Sequence, residues 1–159
     1  MIAAGTLGSY TAATAGPGPG PWAPKPKPDM AQILLLEDEE QVRVAVAALL
    51  RVAGHEVVTA IDGAEGLEMF QLRPFDLVIT DVLMPIKSGP ETIVALRRLR
   101  PGLKIIATYG GGRIAGDEYP PTAESLGADR LLAKPFSLTE LRAAVSEVLK
   151  AAPAQPDRP

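Results

Sequence analysis

The chain has 159 residues, 47% of them apolar and only 4% aromatic, with a net charge of −3 and no cysteine. This length predicts one domain whose core is mainly Ala, Val, Ile and Leu. The charge argues against nucleic-acid binding, and the lack of cysteine excludes disulfides and thiolate metal sites. No apolar stretch is long enough for a signal peptide or a membrane span, so we expect a cytoplasmic protein without membrane association.

The N-terminal segment is dominated by Gly, Ala, Thr and Pro up to Asp29. Such a composition buries too little apolar surface to offset the entropy of ordering, so we expect a disordered arm over residues 1–31. We expect the folded domain over residues 32–150 and a disordered tail over residues 151–159. Trp22 with the neighbouring prolines could form a docking peptide. A passive tail or an over-extended start is the other interpretation.

The first ordered stretch is an apolar run over residues 33–36, typical of a strand covered on both faces. Four acids follow, and a helical pattern runs from residue 39 to residue 53, with Gly54 as its stop. Glu37 and Asp38 precede this helix on the connecting loop. They are therefore expected at the carboxyl end of the first strand.

Residues 56–60 predict a second short strand. Asp62 and Glu65 form the pattern of an N-terminal cap for a helix that continues to Leu72. The only histidine, His55, lies in the turn before the strand. It could titrate usefully, but we interpret it as a solvated turn residue.

The stretch over residues 77–85 reads Leu-Val-Ile-Thr-Asp-Val-Leu-Met-Pro. Its β-branched apolar run predicts a buried strand that delivers Asp81 to its carboxyl end. Sites in open α/β sheets form at this edge. Ser88 and Glu91 then bracket the start of a third helix, which is expected to end near Arg100.

Two further strands are predicted over residues 104–108 and 130–133, and Lys134 follows the second. Three glycines over residues 110–112 could cradle a phosphate, but no clear helix starts behind them, which favours a loop. A short helix is expected over residues 122–126.

A last helix is predicted after Ser137, which forms a capping-box pattern with Glu140. Five strands thus alternate with five helices. This pattern is typical of an α/β fold with a doubly wound parallel sheet and right-handed crossovers.

Four charged residues are expected at the carboxyl ends of the strands, namely Glu37, Asp38, Asp81 and Lys134. Three carboxylates brought close together repel one another unless a cation binds them. Hard oxygen ligands favour Mg²⁺ over zinc or copper. The alternative is that these are separate surface charges.

Three motifs in this order resemble the receiver domain of bacterial two-component response regulators. They are Leu-Leu-Leu-Glu-Asp-Glu-Glu, Asp-Val-Leu-Met-Pro and Ala-Asp-Arg-Leu-Leu-Ala-Lys-Pro-Phe, and the resemblance covers residues 32–150. It implies a flavodoxin-like sheet of order 2-1-3-4-5. It also implies a phosphoryl group received on Asp81 from a sensor histidine kinase or a histidine phosphotransfer protein.

The same resemblance implies a role for each site residue. Asp38 and Asp81 would bind Mg²⁺, with Glu37 directly or through water and with the backbone carbonyl of Leu83. Lys134 would pair with a phosphoryl oxygen. The peptide bond between Lys134 and the proline that follows it is expected to be cis.

Two positions depart from the family pattern. A Ser or Thr is expected at the end of the fourth strand, where the aligned residue is Tyr109, one past Thr108. Either the strand slips so that Thr108 serves as the switch, or the usual coupling is weakened, which we favour. Leu131 stands where an aromatic switch residue is common. Leu83, two residues past Asp81, cannot orient an attacking water, so we expect the acyl phosphate to decay slowly unless a partner supplies the missing group.

We therefore predict a stand-alone receiver that is not an enzyme beyond its own phosphorylation and dephosphorylation, and that docks on an unknown downstream protein. No helix-turn-helix or basic region follows Lys150. A pseudo-receiver that signals without phosphate is the nearest alternative. An aspartyl phosphatase is a further one, but such enzymes generally have a second Asp where Leu83 stands.

Overall fold

The computed structural model describes residues 29–110 and 121–152. Within these ranges five strands alternate with five helices, as predicted. The elements are β1 Gln32–Leu36, α1 Glu40–Val52, β2 Glu56–Ala60, α2 Gly63–Leu72, β3 Leu77–Asp81, α3 Gly89–Leu99, β4 Lys104–Tyr109, α4 Ala123–Leu126, β5 Arg130–Ala133 and α5 Leu138–Lys150. The arm before residue 29, the glycines at 111 and 112 and the end of the tail lie outside the described residues.

The strands form one parallel sheet of order β2-β1-β3-β4-β5. This order confirms the predicted fold class and the sheet order that the resemblance implies. Leu36 pairs with Ala60 on one side and with Thr80 on the other, while Asp81 pairs with Thr108. The carboxyl ends of the strands therefore lie along one edge.

The helices cover both faces of the sheet. Successive residues of β1 alternate between the faces, because side chains along a strand point in opposite directions. Ile33 and Leu35 pack in a core with α1 and α5. Leu34 and Leu36 pack in a second core beneath α2, α3 and α4.

Side-chain caps begin four of the five helices. Ser88 and Ser137 form the predicted capping boxes of α3 and α5, and Thr122 caps α4. Asp62 accepts a hydrogen bond from the N–H of Glu65, as predicted. The return bond to Glu65 comes from the N–H of Ile61 rather than from Asp62.

The interpretation of His55 as a solvated turn residue was wrong. Its half-buried ring accepts a hydrogen bond through Nδ1 from the N–H of Ala31, at 3.2 Å. Burial lowers its pKa below the ordinary value of 6.5, and the positive charge of Arg142 adds to this effect. His55 thus connects the residue before β1 to the turn before β2.

Among residues 29–110 and 121–152, no helix combines the length and hydrophobicity required to span a bilayer.

Candidate functional site

The loop after β1 carries two acids in different environments. The N–H of Glu37 bonds to the carbonyl of Ala60 at 3.1 Å, which extends the strand pairing by one residue. The Glu37 side chain is only 4% exposed, and its Oε1 accepts the N–H of Glu39 at 3.2 Å. Asp38 is exposed. The sequence thus places one acid inside the sheet edge and the next at its surface.

Asp81 is the last residue of β3, and its side chain is 10% exposed. Its Oδ1 is 3.4 Å from the N–H of Leu83. The start of α3 comes very close to Asp81, because a Cβ on Gly89 would lie 2.3 Å from the carbonyl oxygen of Asp81. Glycine is therefore required at this contact.

Lys134 connects the strand ends. Its backbone N–H bonds to the carbonyl of Tyr109 at 2.7 Å, and the bond to Pro135 is cis, as the resemblance implies. Its Nζ lies 2.6 Å from Oε2 of Glu37 and 3.1 Å from Oδ2 of Asp81. Side chains distant in sequence thus meet in one pocket.

The pocket combines three carboxylates with one ammonium. One ligand oxygen each from Glu37, Asp38 and Asp81 lies within 4.8 Å of the others. With Lys134 protonated, these four groups have a formal charge of −2. A divalent cation would neutralise it.

The pKa values of two groups are displaced by this arrangement. Burial raises the pKa of Glu37, and the charge of Asp81 adds to the increase although the hydrogen bond from Lys134 opposes it. Burial alone would lower the pKa of Lys134, but the carboxylates of Glu37 and Asp81 outweigh it and raise that pKa. Lys134 is therefore a cation at neutral pH.

The donor set fits the predicted Mg²⁺. All three side chains offer hard carboxylate oxygens, which magnesium prefers, and the described residues add no sulfur or imidazole ligand to this cluster. The exposed position of Asp38 leaves the pocket open to water. The role of the Leu83 carbonyl stays a prediction.

The two candidate switch residues point to opposite faces of the sheet. Strand β4 pairs with β3 and β5 without interruption. Thr108 is buried and lies opposite Asp81 in the register. Tyr109 is half-buried and packs in the core beneath α2, α3 and α4, as does Leu131. Which of the two serves as the switch stays a prediction.

Sequence reasoning missed two residues that shape this site, Gly89 and Arg43. Arg43 donates hydrogen bonds from Nη1 to the carbonyls of Glu37 and Asp38, at 2.9 and 3.2 Å. The sequence did contain a signal for Arg43: a cationic residue lies one turn into a helix that follows an acidic loop. No local pattern signals the close approach of Gly89.

Solved structures share this fold at moderate identity. The chain aligns with chemotaxis protein CheY4 of Vibrio cholerae at a TM-score of 0.66 and 31% identity, over 75% of this chain and 98% of that one. It aligns with response regulator TrrA of Thermotoga maritima, crystallised in complex with Mg²⁺ and BeF, at a TM-score of 0.65 and 32% identity, over 74% and 97% of the two chains.

A curated relative agrees with these structures. The probable transcriptional regulator ycf27 of Cyanophora paradoxa is 41% identical over 101 residues, which are 64% of this chain and 41% of that protein. The chain spans about two fifths of the length of the curated relatives it matches. Residues 33–146 match the response regulator receiver domain. The chain therefore belongs to the response regulator receiver domain family of two-component systems.

Proposed function

We propose that this protein is a phosphoacceptor whose Asp81 receives a phosphoryl group from a histidine kinase or a histidine phosphotransfer protein. The observation that carries the proposal is the pairing of Lys134 Nζ with Asp81 at 3.1 Å and with Glu37 at 2.6 Å, at the carboxyl edge of the sheet. The phosphorylated form then acts in the cytoplasm by docking on a downstream protein.

The transfer reaction needs one nucleophile and one leaving group. A carboxylate oxygen of Asp81 attacks the phosphorus of a phosphohistidine, forming a P–O bond while the P–N bond breaks. The imidazole of the donor keeps the electron pair of the broken bond. The ammonium of Lys134 pairs with a phosphoryl oxygen as the group arrives, because it already lies beside Asp81.

The acids beside Asp81 have a separate task. Glu37, Asp38 and Asp81, with the carbonyl of Leu83, would hold Mg²⁺, which supplies charge neutralisation for the phosphoryl oxygens when bound. The carboxylates themselves position the cation and keep the pocket polar. The protein would catalyse only its own phosphorylation and dephosphorylation, since Leu83 offers no general acid for phosphatase turnover.

A pseudo-receiver is the second candidate function. Leu131 cannot form an aromatic switch, and Tyr109 is too long to replace a threonine hydroxyl directly. Both residues pack in the core beneath α2, α3 and α4. Signalling through the face of the sheet that α2, α3 and α4 cover would then not depend on phosphate.

Incubation with acetyl phosphate followed by intact-mass measurement tests the proposal. The wild-type protein with Mg²⁺ should gain one phosphoryl group, and EDTA should prevent the gain. Asp81→Asn should gain none. Asp76→Asn is a matched control, because Asp76 is exposed just before β3 at the opposite end of the strand. No gain in the wild type would contradict the proposal and favour the pseudo-receiver.

A further inference from the structure

Arg43 lies outside the carboxylate and amine cluster, and its side chain bonds to the backbone of the loop that carries Glu37 and Asp38. It lies in the first turn of α1 and is half-buried. Its Nη1 donates to two successive backbone carbonyls, that of Glu37 at 2.9 Å and that of Asp38 at 3.2 Å. One guanidinium nitrogen thus fixes the loop that carries two of the three acids.

The three acids are not held equally. Glu37 and Asp81 are fixed by their bonds to Lys134. Asp38 is exposed, and no hydrogen bond or ion pair within the described residues holds its carboxylate. The direction of that side chain therefore depends on the backbone to which it is attached, and Arg43 holds the carbonyls on both sides of the Asp38 α-carbon.

We propose that Arg43 is a positioning residue for the divalent cation, acting through the backbone of Glu37 and Asp38. The inference rests on the metal site of the proposed function. Groups that orient metal ligands without touching the metal commonly contribute tenfold or more to affinity. Without the guanidinium the loop is free to move. The Asp38 carboxylate must then be ordered when the cation binds, and the cost of this ordering weakens binding.

The charge of Arg43 makes the inference testable, because its charge and its hydrogen bonds have opposite effects on Mg²⁺ affinity. A guanidinium close to the pocket repels a bound cation, so removal of its charge alone would tighten binding. Removal of its hydrogen bonds would weaken binding. The sign of the change in Mg²⁺ affinity therefore separates the two effects.

Calorimetric titration with Mg²⁺ provides the measurement, on the full chain without a phosphodonor. We expect Arg43→Ala to bind Mg²⁺ about tenfold more weakly than the wild type. Arg43→Lys should fall between them, because one ammonium can reach one carbonyl. Arg51→Ala is the matched control, since Arg51 is on the same helix and donates to the carbonyl of Val57 at 3.1 Å. It should bind like the wild type.

Unchanged or tighter Mg²⁺ binding by Arg43→Ala would overturn the inference. Thermal unfolding without Mg²⁺ checks that each variant is folded. If Arg43→Ala does not fold, Arg43→Lys compared with Arg51→Lys decides, and equal affinities would overturn the inference. Failure of the wild type to bind Mg²⁺ would instead refute the metal site itself, and the inference with it.

Discussion

At the scale of single residues, the pocket concentrates negative charge that its one ammonium only partly balances. Glu37 is the most buried of the acids, and its pKa is raised chiefly by that burial. A buried carboxylate with a raised pKa disfavours the folded state once the pH is high enough to ionise it. The negative charge of Glu37, which would help to bind a cation, therefore lowers the stability of the folded state.

Glu37→Gln should separate these two effects. The neutral amide removes the buried charge and keeps an oxygen for Lys134, so the midpoint of thermal unfolding at neutral pH without Mg²⁺ should rise. Affinity for Mg²⁺ should fall about tenfold or more. Glu40→Gln, at an exposed acid of α1, is the charge-matched control and should change neither. A lower unfolding midpoint for Glu37→Gln would contradict this explanation.

We predict that Leu83 affects how long the proposed phosphorylated form lasts. Its side chain is 44% exposed beside Asp81 and has no polar atom that could orient water. Leu83→Asn should speed hydrolysis of the acyl phosphate about tenfold, measured as loss of the phosphoryl mass with time. Ile86→Asn, in the same loop, should leave the rate unchanged. A wild-type phosphoryl lifetime of only seconds with Mg²⁺ would count against the prediction.

The positions of the acids and the lysine at the site could be predicted from the sequence, because each follows an apolar run that ends abruptly. Parallel strands bring their carboxyl ends to one edge of the sheet, and this does not depend on the conformation of the loops. The partners of Arg43 and His55 could not be predicted in this way. The position of Arg43 after the acidic loop signals a cation close to that loop, but both side chains bond to backbone groups, and which backbone group each one reaches depends on loop geometry.

At the scale of secondary-structure elements, the contact between α3 and β3 fixes the position of Asp81. The N–H of Gly89 donates to the carbonyl of Val82 at 3.1 Å, and the helix begins against the strand end. The capping box of Ser88 and Glu91 was predictable from the spacing of the two residues. The close approach was not, since Gly89 is one of 15 glycines and only the folded chain distinguishes it.

Gly89→Ala should therefore destabilise the fold and disturb the site. The added Cβ would overlap the carbonyl oxygen of Asp81 and the α-carbon of Val82, which are backbone atoms that cannot move independently. We expect a loss of about 2 kcal/mol in the free energy of unfolding, measured with urea, and slower phosphorylation. Val94→Ala, at a half-exposed position of the same helix, should cost less than about 1 kcal/mol. Equal losses for the two variants would refute the steric argument.

At the scale of the whole molecule, the sheet has its acidic site at the carboxyl edge and a titratable contact at the opposite edge. His55 accepts the N–H of Ala31 through Nδ1, which requires an unprotonated nitrogen at that position. Its pKa is lowered in the folded state by burial, with Arg142 contributing and Asp29 opposing. The unfolded chain thus binds a proton more readily than the folded one.

Stability should consequently depend on pH through His55. The contribution of the neutral ring is complete above the ordinary pKa of 6.5 and is lost as the pH falls through the lower pKa of the folded state. His55→Gln keeps an acceptor but cannot titrate. Between about pH 7.5 and pH 5, urea unfolding of the wild type should lose more stability than that of His55→Gln. Parallel pH curves would contradict the prediction.

The location of the phosphoryl group tests the central claim most directly. After reaction with acetyl phosphate and Mg²⁺, tandem mass spectrometry of peptides from the wild-type chain should find the modification on Asp81 and on no other residue. A phosphoryl group on a different side chain, or none on the peptide that contains Asp81, would contradict the account.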